Sequence, residues 1–182
     1  MSLTSNLPYP PRWVNAYIYD KLSEYEDIGV DKNQKFNPIF PASPTNIEEV
    51  YKEISQSTGI ADPLIMQYDR LMRFRPNSFY PRKREQLLYY VYSTSISNVN
   101  NAAIVISQLL DREDAAAQDL NDWCSNNSSK IDAPYNVFFH NIKVHQTEEA
   151  KDIMSANSVR KIYVSKLIIE YDYHAKNDST FK

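Results

Sequence analysis

Only two glycines, Gly29 and Gly59, occur in 182 residues. Neither a GxGxxG turn nor a GxxxxGK[ST] loop can be written with them, so phosphate-cradling glycine loops are excluded. Cys124 is the single cysteine, which rules out an intramolecular disulfide and any zinc site built on several thiolates. Histidine is also scarce, with His140, His145 and His174 as the full set. No run of apolar residues approaches the length of a membrane span. The first residues, MSLTSNLPYPPRW, lack the basic start and apolar stretch of a secretory signal. Reducing cytoplasm, or wherever a soluble assembly built there ends up, with no membrane partner, is therefore the expectation.

What is present is ordinary in bulk and unusual in one respect. A hydrophobic fraction of 42% and a formal charge of −3 fit one domain with a sizeable core. Fourteen tyrosines stand out. Their rings suit extensive half-buried surface on which the hydroxyl stays wet.

The stretch Arg82–Trp123 organises the rest. RKREQLLYYVYS (82–93) reads as a strand rich in aromatic residues near its end. Ser93, Ser95, Ser97 and Asn98 then offer helix N-caps. Val99, Ala102, Ala103, Ile106, Leu109 and Leu110 recur at helical spacing, and Ala117, Leu120 and Trp123 continue the stripe. The spacing predicts one amphipathic helix of about 25 residues, lying across a sheet.

Upstream, residues 1–12 read as an extended, proline-bearing arm, and Pro11 can open a helix over WVNAYIYDKLSEYE. Trp13, Ala16, Tyr17 and Leu22 mark its apolar face. Residues 30–60 read as a loop, with a short strand at NPIFP, and a short helix opened by the Thr45/Glu48 capping box. Leu64–Arg75 alternates as a strand that Arg70 interrupts, and with the Arg82 strand it makes a hairpin. Val137–His145 and Val159–His174 supply a second hairpin, QTEEAKDIMSANS between them reads as a loop or short helix, and 175–182 reads as a flexible tail. The expected class is α+β in a single domain. An antiparallel, in part mixed, sheet of about four main strands carries the long helix and the N-terminal helix.

Catalytic and metal-binding patterns are weak. His140 and His145 lie five apart in a predicted strand, which assigns them to opposite faces, and the histidines read as surface or packing residues. Cys124 reads as a buried structural thiol. The acidic clusters Glu48-Glu49, 111–114 and Glu148-Glu149 read as solvated faces. A metal-dependent nuclease can be drawn from Glu170, Asp172 and Lys176, without a second acid from a partner strand. Neither an enzyme nor a cofactor is expected. The clearest charge feature is the first hairpin, where Arg73, Arg75, Arg82, Lys83 and Arg84 form a candidate partner-binding cluster for phosphates or an acidic protein surface. Its bland alternative is a solvated tip that blunts an edge strand.

The order of WVNAYIYDKLSEYE, the 64–92 hairpin, the 98–123 helix and the 137–174 hairpin resembles the plan of the tail-terminator, or tail-completion, proteins of long-tailed bacteriophages. Within that group the chain looks most like those of contractile-tailed, T4-like phages. Residues 30–60 and the proline-bearing arm depart from the plan. The resemblance implies a structural virion protein, a hexameric ring that caps the tail tube and offers a surface for head and neck joining. Its partners would be further copies of itself, tube protein, and sheath or neck proteins, with DNA passing through unread. Another head–tail connector or baseplate adaptor is the alternative, followed by the nuclease and a nucleic-acid-binding module.

Overall fold

A computed structural model describes residues 10–25, 39–41, 64–74, 82–112, 114–129, 135–153 and 162–175, with the backbone alone for 39–41, 64–74 and 146–153. The elements run α1 (Pro10–Leu22), β1 (Ile39–Pro41), β2 (Leu64–Phe74), β3 (Lys83–Ser93), α2 (Ile96–Leu110), α3 (Asp114–Asn127), β4 (Val137–Ile153) and β5 (Ile162–Ala175). The strands make one sheet in the order β1-β2-β3-β5-β4. Short β1, in the NPIFP segment, is parallel to β2, and every other pairing is antiparallel. The class is α+β. No helix among the described residues is long and apolar enough to cross a membrane. The Thr45/Glu48 helix, Lys176 and residues 1–9 lie outside the described residues.

Period-2 burial fixes the faces. Glu85, Leu87, Tyr89, Val91 and Ser93 of β3 are buried, as are Ser165, Leu167, Ile169, Tyr171 and Tyr173 of β5. That face carries α2 and α3, and their buried side chains join it in one core. Helix α1 packs on α2 and α3 and meets the sheet at β1. It reaches the sheet through Asn15, whose Oδ1 accepts from the Tyr89 hydroxyl at 2.6 Å. Each fully buried large side chain here contributes about 1.5–3 kcal/mol.

Four expectations are corrected. Residues 10–12 are helical rather than part of an arm, because Pro10 and Pro11 occupy the first turn, where a missing N–H costs nothing. Ala175 belongs to β5 rather than to the tail. The predicted single helix is two, broken at Asp111-Arg112. Asp111 caps α2 at φ −87°, ψ 9°, and its N–H donates to Ser107 O. The apolar stripe keeps its phase across the break, Leu110 and Ala117 being a heptad apart, so periodicity alone does not reveal it. Finally, β4 continues through the charged segment after His145 as far as Ile153. Charge there suits a strand at the sheet's edge.

The tyrosines are also drier than expected. Tyr89, Tyr171 and Tyr173 are fully buried, and their hydroxyls find protein partners instead of water. Tyr171 and Tyr173 both donate to the buried carboxylate of Glu85, at 2.8 and 2.9 Å. Burial, reinforced by the Glu85 charge, pushes the Tyr171 hydroxyl's pKa well up, so it stays a donor.

A bulge shapes β4. The register with β5 slips between Phe139 and Asn141, leaving His140 as the inserted residue. Buried Asn121 of α3 holds this point. Its Nδ2 donates to Phe139 O at 2.7 Å, and its Oδ1 accepts from Phe139 N at 2.9 Å and from the Tyr135 hydroxyl at 2.6 Å. In an antiparallel strand one residue's N–H and C=O point to the same side, so Asn121 caps the outer edge of β4 here.

Candidate functional site

Two surfaces come forward, the sheet face turned away from the helices and the outward face of α2.

On the sheet face, β3 and β5 set side chains directly opposite one another. Arg84 faces Asp172, Gln86 faces Glu170, Leu88 faces Ile168, and Tyr90 faces Lys166. Arg84 grips Asp172 through Nε and Nη2 at 2.7 and 2.9 Å, with Glu170 further off at 3.7 Å. The Asp172 hydrogen bond and charge push the Arg84 pKa up, against a smaller cost of burial, so this guanidinium is permanently charged and already paired. Gln86 donates to Glu170. Lys166 lies 6.0 Å from the Tyr90 ring centre.

This geometry divides the basic cluster. Arg82 and Arg84 are exposed, while Lys83 is half-buried on the opposite, helix-bearing side, opposite Tyr173 in register. Consecutive strand residues alternate faces, so the three cations cannot act as one patch. Arg73 sits in β2 opposite Glu85 along the backbone, and Arg75 lies outside the described residues. Among the described members of the candidate set, exposed Arg82 is the one whose position suits contact with a partner.

The carboxylates drawn for a nuclease, Glu170 and Asp172, do share a face, and they converge on Arg84. Among the described residues no group of three or more His, Cys, Asp or Glu is placed to hold a metal ion. Cys124 is buried in the core. The histidine assignment changes. Because the bulge adds a residue, His140 and His145 fall on the same face despite their odd spacing, with Ile142 and Val144 buried between them on the other. His140 meets His174, with Nε2 and Nδ1 2.6 Å apart.

The second surface is one the motif search misses. No Asp, Glu, Lys, Arg or His occurs from Gln86 to Leu110. The β3 part of that run lies in the sheet, but α2 turns Ile96, Ser97, Asn101, Ile104 and Gln108 outward. Ile96 and Ile104 are 45% and 49% exposed. An uncharged helix face with two projecting isoleucines has the composition of an interface centre, where charged residues are depleted. The missing charges were visible in the sequence; which side of the helix lacked cover was not.

No protein-family model matches the sequence, and no curated protein matches it.

Proposed function

We propose that this chain is a structural virion subunit that closes into a ring, hexameric by analogy with the family it resembles, and caps a phage tail tube. The observation that carries the reading is the arrangement of elements. An N-terminal helix, a hairpin, a helical layer on one sheet face and a final long hairpin follow one another as in tail terminators. The uncharged face of α2 adds a surface suited to a neighbouring subunit. Such a ring ends elongation by presenting one side that mimics the next tube ring and another that does not. No catalysis is required. Partners on this reading are other copies of the chain, tube protein, and sheath or neck proteins, with DNA passing through the ring.

The test is assembly with tube protein, followed by mass measurement and electron microscopy. Rings seated on tube ends are expected. Particles that remain monomeric and leave tube ends bare would overturn the reading, and a ring that binds neck but not tube would favour another head–tail connector.

The basic cluster gives a separate prediction. Arg82→Ser should weaken joining to an acidic neighbour by about tenfold and leave the melting temperature unchanged. Arg84→Ser should instead alter stability by no more than about 1 kcal/mol, since it breaks a half-exposed pair. Normal joining accompanied by abnormal DNA release in Arg82→Ser would move Arg82 to the lumen.

A further inference from the structure

The contact between His140 and His174 has chemistry that neither core packing nor ring assembly uses. His174 lies opposite Phe138 in the register, and the bulge brings the His140 ring beside it. Ring centres are 4.8 Å apart and inclined by 30°. Phe138 covers both, at 5.3 Å from His140 and 5.5 Å from His174. Two imidazole nitrogens 2.6 Å apart can bond only if one carries a proton and the other a lone pair. Protonating both rings fully would turn two N–H groups and two positive charges on each other.

The surroundings oppose that second proton. Arg84 stands on β3 with Arg82 just before it, Glu170 and Asp172 on β5, and Lys143 and His145 on β4. Asp172 is engaged by Arg84, while Arg82 adds positive charge next to His140. We propose that His140 and His174 form an acid-released clasp, in which one shared proton fastens the end of β5 to the bulge of β4 and a second opens it. Opening would leave two imidazolium rings beside exposed Arg82, a cationic corner on a face that is otherwise charge-paired here. The clasp stands independently of the ring reading.

Burial, then Arg82 and His174, lower the His140 pKa from 6.5 to about 4, with Asp172 opposing. The opened or unfolded state therefore binds more protons across that interval. The clasp is fully closed above the ordinary histidine pKa of about 6.5 and is lost as pH falls toward about 4.

Amide hydrogen exchange on the full chain tests this at about pH 7 and about pH 5, with rates corrected for intrinsic chemistry. Protection at residues 137–141 and 172–175 should fall by about tenfold or more relative to Leu87 and Ile169 in the sheet centre. In His140→Gln and His174→Gln, where one imidazole remains and two facing cations cannot form, the corner should lose this pH dependence. Imidazole nitrogen NMR of the unaltered protein should show one proton shared by the pair at about pH 6.5. Undiminished protection at the lower pH, the same loss in both glutamine variants, or two fully protonated rings with the corner intact would each overturn the clasp.

Discussion

Ile106→Asp is expected to abolish folding, while Ile104→Asp, two positions away on the same helix, folds normally and fails to assemble. Ile106 is fully buried in the shared core, and its replacement sets an unpaired carboxylate among apolar groups. A cost above about 4 kcal/mol follows, comparable to the whole stability of a domain, roughly 5–15 kcal/mol. Ile104 is 49% exposed, so its substitution should change stability by less than about 0.5 kcal/mol. A charge there would be stranded if the α2 face becomes an interface. Soluble yield and thermal melting read the first effect, and sedimentation reads the second. An Ile106→Asp protein as soluble and stable as the unaltered chain would refute the packing of α2 on the sheet.

The second large effect is expected at Asn121. Replacing it by Leu removes both partners of the Phe139 backbone and the acceptor of the Tyr135 hydroxyl while keeping similar bulk. Buried polar groups left unmade cost about 1–3 kcal/mol each where water cannot reach them, and relief at the sheet's edge brings the sum to about 3 kcal/mol. Tyr135→Phe removes one bond and should cost about 1 kcal/mol. Urea denaturation measures both. A loss below about 0.5 kcal/mol for Asn121→Leu would show that the bulge finds other partners.

These two sites mark the boundary of what the amino-acid pattern conveys. Both long hairpins are legible because Leu87, Tyr89 and Val91, and Leu167 through Tyr173, repeat with the strand period. Ser95 is legible as a cap, and its hydroxyl does accept from Asn98 N at 3.4 Å. The break at Asp111 is hidden because the apolar stripe resumes in phase. The bulge at His140 is hidden because one inserted residue reverses every later side chain without altering composition. Partnerships such as Arg84 with Asp172, and Glu85 with Tyr171 and Tyr173, join residues more than 80 positions apart. Local pattern does not reach them. That distance is why the basic cluster reads as one patch in sequence, yet has one member neutralised and another on the opposite face.

The ring itself is tested most directly by imaging tail tubes assembled with and without this protein. Tubes of limited length are expected, each bearing a closed ring of this subunit at one end, and ringless tubes with Ile104→Asp. Tubes that grow equally long and carry bare ends in the presence of the unaltered, folded protein would contradict it.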